Sequence, residues 1–155
     1  MPRYPLDSDN PETLTSRGSL ADTFQDAGRL GEAIALNERN LADRMRILGS
    51  DHPDTLTSRG NLGLAYQDAG RLGEATALNE QNLTELQRIL GPDHPLTLTS
   101  RGNLALAYQA AGRLGEAILL LEQALASSER VLGTDHPTTR KVREYLRRAR
   151  HLKRP

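Results

Sequence analysis

Histidine recurs at one spacing in this chain. His52, His94 and His136 lie 42 residues apart, and each is followed by proline. Imidazole serves as metal ligand and as general acid or base, so three in register raise both chemistries. Position argues against them. If each sits on a separate stacked unit, neighbours are about 10 Å apart. A single ion needs ligands near ~2 Å. These histidines therefore read as loop and helix-capping residues, and no metal site is expected. Ser, His and Asp occur in every copy, which is repetition and not a triad. No pair of carboxylates stands isolated in an apolar setting that would tune one for acid–base work. The Gly-Arg-Leu-Gly segments lack the preceding strand of a phosphate-binding loop. There is no Cys, so thiol chemistry is excluded. No catalytic residue and no cofactor is expected.

Amides form a second pattern. Asn37 and Asn40, and again Asn79 and Asn82, stand three residues apart and share one face of a helix. A buried amide needs hydrogen-bond partners. The two pairs could form a ladder through a stack of units, or they could meet a ligand.

The elements that position these residues repeat with the same period. Pro11, Pro53, Pro95 and Pro137 recur every 42 residues, as do Gly28, Gly70 and Gly112. Such a period means one structural unit stacked on the next. Aromatics make up 3% of the chain and Trp is absent, so Leu and Ala must fill the core. That suits close-packed helices and disfavours sheets. In the second copy Asp51 or His52 can cap a helix A, with Pro53 in its first turn and Asp54 at the positive end of its dipole. Leu56, Leu62, Ala65, Tyr66 and Ala69 make its apolar stripe, and Gly70 ends it. Helix B is expected from about Glu74 to Leu90, with Gly73 at the cap position. Ala75, Leu78, Asn82, Leu86 and Ile89 should point inward, and Gly91 should close it. The short connection makes each pair an antiparallel hairpin. The expected fold is an all-α, right-handed solenoid forming a single array. Its repeats would span 9–50, 51–92 and 93–134, with a capping helix over 135–155.

These residues resemble the tetratricopeptide repeat. Leu62-Gly63-x-x-Tyr66, Gly70 and Ala75 stand at the motif's relative positions, as do Leu104-Ala105-x-x-Tyr108, Gly112 and Ala117. The 42-residue length and the junction Leu90-Gly91-Pro92-Asp93-His94-Pro95 are similar to the kinesin-light-chain variant. The chain departs from the family where Arg17, Arg59 and Arg101 replace a bulky aromatic. It departs again where Asn37 and Asn79 replace a large residue that Leu121 keeps. Ser19, Asp22 and Thr23 make the first helix A polar, as suits a terminal repeat. From Asp135 onward a single helix with Val142, Tyr145, Leu146, Ala149 and Leu152 on its stripe looks like a cap.

The resemblance implies a non-enzymatic scaffold that holds a peptide or partner segment on its concave helix A face. Asn61 and Asn103 occupy the position where family members grip peptide backbone, and an amide offers both donor and acceptor. The inner face around them would include Thr57, Leu64, Gln67 and Asp68, then Thr99, Leu106 and Gln109, with Asp22 and Gln25 in the first copy. Gly60 and Gly102 stand where the family's carboxylate clamp has a base, so that clamp is not expected. The groove should be neutral to mildly acidic and should suit apolar anchors with a basic residue. The alternative for the Asn pair is an inter-helix hydrogen bond.

Charge supplies the remaining alternatives. The net charge is zero, but up to Thr134 there are 18 acidic and 12 basic side chains, and from Asp135 onward 2 and 8. The basic end could serve as a solubilising cap or contact an acidic partner; nucleic acid is disfavoured because no aromatic platform accompanies it. Copies this similar could also exchange helices between chains, giving a homo-oligomer. Met1–Pro5 has no apolar segment of a signal peptide, and no run approaches the ~18 residues of a membrane span. A cytoplasmic protein is expected, and the chain could be an excerpt of a larger signalling protein.

Overall fold

The computed structural model describes residues 9–155; the segment Met1–Pro5 lies outside them. The described residues contain helices and no strand. They fall into two compact units that divide after Arg71. The first holds α1 (Pro11–Asp26), α2 (Leu30–Leu48) and α3 (Pro53–Asp68). The second holds α4 (Leu72–Leu90), α5 (Pro95–Ala110), α6 (Leu114–Leu132) and α7 (Pro137–Lys153). Within each unit every helix packs on the next in sequence. No helix is long and apolar enough to cross a membrane.

The odd-numbered helices begin in one way. Asn10, His52, His94 and His136 hold extended backbone, and each side chain accepts the N–H of the residue two places on. Asn10 Oδ1 does so at 2.8 Å and each His Nδ1 at 3.1 Å. Proline follows as the first helical residue, where a missing N–H costs nothing. The histidines are thus caps, with Nδ1 unprotonated to accept. No group of residues able to hold a metal occurs among the described residues.

The turn between the first and second helix of each pair has one geometry. Gly28, Gly70 and Gly112 take φ of 74°, 74° and 78°. The next residue's N–H returns to a carbonyl five residues back: Arg29 to Phe24, Arg71 to Tyr66 and Arg113 to Tyr108, each at 2.8 Å. The glycine N–H goes to the carbonyl three back. This is the Schellman pattern, which satisfies the carbonyls a helix end leaves open. Each arginine then lies over the ring of that aromatic residue, at 4.4, 4.4 and 4.1 Å from the centroid. The following helix starts one residue later than this arginine. Arg29 and Arg113 occupy the cap position and give no side-chain cap bond. The expected start at Glu74 with Gly73 as cap is therefore corrected: α4 begins at Leu72. The Schellman turn is complete at the arginine, and nothing further delays the helix.

Leu and Ala do fill the interior. Leu14, Ala21, Ala33, Ile34, Leu41 and Leu56 are buried in the first unit. In the second, Ala105, Leu121, Ala124, Val142, Leu146 and Ala149 form one cluster. Leu152, expected on the cap's inner stripe, is instead 56% exposed. The arginines that replace the family aromatic are covered. Arg17 Nη1 meets Asp43 Oδ2 at 2.5 Å, and this hydrogen bond holds the Asp43 carboxyl below its usual range. Arg101 is buried and donates to Ser127 Oγ at 3.2 Å.

The Asn pairs are interior as well. Asn37, Asn40, Asn79 and Asn82 are all buried, which removes them from any ligand-facing surface. Neither polar atom of Asn79 has a hydrogen-bond partner, so no ladder of bonded amides runs through that position. The expected ladder is corrected to buried amides, of which Asn37 and Asn79 fill the place that Leu121 takes in the third copy.

Substitutions at three positions test the local physics. His94→Ala should cost about 1 kcal/mol in urea unfolding, whereas His94→Asn should change little, since Asn10 already performs that cap. Gly112→Ala should cost about 1–2 kcal/mol because of its left-handed backbone. Gly102→Ala should gain roughly 0.5–1 kcal/mol. Gly102 lies inside α5, and a Cβ there would meet nothing within 4 Å.

Candidate functional site

Each unit carries a groove between odd-numbered helices. In the first unit a hollow of about 140 Å³ lies between α1 and α3, lined by Asp22, Gln25, Asp26, Asn61 and Leu64. In the second a hollow of about 130 Å³ lies between α5 and α7. Leu98, Thr99, Gly102 and Asn103 form one wall, and Lys141, Val142 and Tyr145 are on the other. Asn61 and Asn103 hold the same place in successive repeats. Both are half-buried, and neither amide hydrogen-bonds to another described residue. The inter-helix hydrogen bond weighed for them does not form.

The other candidates are placed as follows. Leu64, Gln25 and Asp22 line the first groove. Gln25 Nε2 donates to Asp68, which fixes that pair across α1 and α3 at the edge of the hollow. Gln67 is half-buried, with Oε1 unpartnered. Thr57 and Thr99 are exposed, and their hydroxyls bond back to Pro53 O and Pro95 O at 3.0 and 3.1 Å. Thr99 lines the second groove. Gln109 faces a separate hollow beside Arg148 and Leu152. Leu106 is half-buried and lines none of these.

The two grooves differ in charge. Asp22 and Asp26 stand four residues apart on α1. Partial burial first, then the charge of Asp26, raises the Asp22 pKa above the usual carboxylate value. The first groove is acidic, with Asp22 and Asp26 in its lining. The second is not: Lys141 borders it, with its Nζ 5.8 Å from the Tyr145 ring centre. Treating α7 only as a cap hides this. Adding one period to Thr99 gives Lys141, and adding it to Asn103 gives Tyr145, so the repeat itself carries the signal.

The helix pairs, their turns and the shared groove position match one family. The sequence profile of the Tetratricopeptide repeat matches residues 12–84 and 61–130. This chain belongs to the tetratricopeptide-repeat family. Among solved structures it is similar to a Podosopora anserina protein described as a kinesin light chain of nearly identical TPR-like repeats. The TM-score is 0.83 at 38% identity, over 90% of this chain and 66% of that one. A variant of that same protein gives 0.77 at 36% identity, over 94% and 69%. BtubC (BKLC) from P. vanneervenii shares the fold at 0.71 with 18% identity, over 90% and 63%. This chain thus spans about two-thirds of each. No curated protein matches it.

Within a tetratricopeptide repeat, a fixed backbone geometry carries variable groove chemistry, and Asp22 shows the trade. A folded-state carboxyl pKa above its unfolded value costs stability while ionised; the cost is absent below the unfolded pKa and complete above the folded one. Asp22→Asn should therefore stabilise the chain near neutral pH by roughly 0.2–0.5 kcal/mol, the size of a like-charge pair four residues apart. The gain should vanish in thermal melts below the carboxylate range.

Proposed function

We propose that this chain is a non-enzymatic interaction module that holds peptide segments in the grooves between its odd-numbered helices. The observation that carries the reading is the pair Asn61 and Asn103. They are equivalent in the repeat, stand at the grooves, and are unengaged by the protein. An amide can accept a peptide N–H and donate to a peptide C=O, and so reads backbone and not sequence. The flanking residues then set preference. Asp22 and Asp26 suit a cationic side chain in the first groove. Lys141 and Tyr145 suit an anionic or aromatic one in the second. Leu64, Leu98 and Val142 offer shallow apolar contact. Family membership supports a protein partner, as does the likeness to kinesin-light-chain repeats.

Peptides selected from a random displayed library on the unmodified chain provide the probe. Loss of a single peptide-to-amide hydrogen bond should weaken binding about tenfold. Asn61→Ala with Asn103→Ala should therefore weaken the selected peptides by roughly ten- to a hundredfold in titration calorimetry, at unchanged helicity. Undiminished binding by the double variant would refute the groove reading.

A further inference from the structure

Copies two and three differ in what their second helices bring to the core. α4 and α6 are the same helix of successive copies, so their buried residues compare one to one. In α6, Leu121 and Ala124 join Val142, Leu146 and Ala149 of α7 in one apolar cluster, with Ile118 packed against it. One period earlier, the places of Ile118, Leu121, Ala124 and Val142 hold Thr76, Asn79, Asn82 and Ser100, all buried. Thr76 Oγ1, both polar atoms of Asn79, Asn82 Oδ1 and Ser100 Oγ have no hydrogen-bond partner. The exchange runs the other way at one place. Ser128 stands where α4 has Leu86, and its hydroxyl and that of Thr139 are unpartnered. The balance still favours α6. Bonds outside the core do not reverse it. Thr97 Oγ1 donates to Gly91 O and Tyr108 to Glu80, both at 2.8 Å, on the α4 side. On the α6 side Arg143 donates to Glu129 at 3.1 Å and Arg150 to Glu122 at 2.8 Å.

We propose that α4 is the helix of the second unit that opens first, as a local event, while α5, α6 and α7 stay packed. Closing α4 strips water from its amides and gives Asn79 no protein partner, whereas closing α6 buries a leucine at that place. One unpartnered buried polar atom shifts such an equilibrium about ten- to a hundredfold toward the open state. Sequence position alone would put the first opening at α7, the last helix. The chemistry of the core reverses that order. Local openings range from fraying up to global unfolding, and they begin where apolar contact is poorest. The groove of Asn103 is lined by α5 and α7 and by no residue of α4, so it outlasts the opening. Leu83 and Leu86, buried in the closed chain, come free with α4. The second unit thus has a closed form and an open form, and the amides set the balance between them.

The test is amide hydrogen exchange of the full chain under native conditions, read helix by helix. Amides in the middle of α4 should exchange at least tenfold faster than those in the middle of α6 and α7. Asn79→Leu with Asn82→Ala gives α4 the pair that α6 carries, and it should slow exchange in α4 at least tenfold. Leucine has the branched shape of asparagine, so Asn79→Leu alone keeps the test should the double variant fail to fold; it should slow α4 severalfold. Leu146→Ala should speed exchange in α6 and α7 and leave α4 unchanged, because α4 opens before that packing is lost. Equal rates in α4 and α6, or faster exchange in the middle of α7 than in α4, would overturn the proposal. So would an Asn79→Leu chain whose α4 exchanges as before. A Leu146→Ala chain in which α4 speeds up together with α6 would show one cooperative unit and would overturn it as well.

Discussion

The turn that joins the helices of each pair is the constraint on which the rest depends. A glycine with φ near 75° reverses the chain, and two backbone bonds close the first helix behind it. An arginine then stacks on the last aromatic of that helix. Small residues stand where the helices of a unit pack together. Ala21 and Ala33 in the first unit, and Ala105, Ala117 and Ala124 in the second, are accordingly buried. The cap residue before each proline then starts the next odd-numbered helix, and cap and turn both recur with the 42-residue period.

Polar contacts recur on the same period and show where it varies. Tyr66 and Tyr108 donate to Glu38 and Glu80, each 28 residues earlier, at 2.7 and 2.8 Å. Arg150 makes the same reach to Glu122. In the first repeat the tyrosine position is Phe24, which lacks the hydroxyl and keeps only the stack with Arg29. Leu20 is 45% exposed, whereas its counterparts Leu62 and Leu104 are buried. The polar character of α1 and the arginines of α7 are thus variations on one template.

Burial and function pull apart at the charged positions. Arg17 and Arg101 bury a cation where the family has an aromatic ring, and each is tolerated because the facing helix supplies an oxygen, Asp43 or Ser127. The Arg17–Asp43 ion pair contributes little net stability but strongly penalises a missing partner. Asp22 and Asp26 do the reverse: they keep like charges close on an open surface, at a cost the fold does not require.

The repeat period, the helix pairing, the proline–glycine punctuation and the cap role of the histidines could all be read from residue spacing, because each is a local matter of backbone geometry. So could the position of Asn61 and Asn103, since equivalent residues in a repeat must share an environment. The second groove's charge was also encoded, one period beyond Thr99, but it emerges only when α7 is treated as a groove wall as well as a cap. Other facts needed the folded chain. Which side of a helix a long side chain covers depends on what packs against it. Arg101 is buried while Arg143, one period on, lines an open groove. The amides of Asn37 and Asn79 became interior filler, and Leu152 turned outward. By itself the sequence determined the unit, because the unit is held by contacts between residues near in the chain. Only the tertiary structure decided which copies of each residue are covered and which are left open, because coverage depends on the neighbouring helix and not on the residue itself.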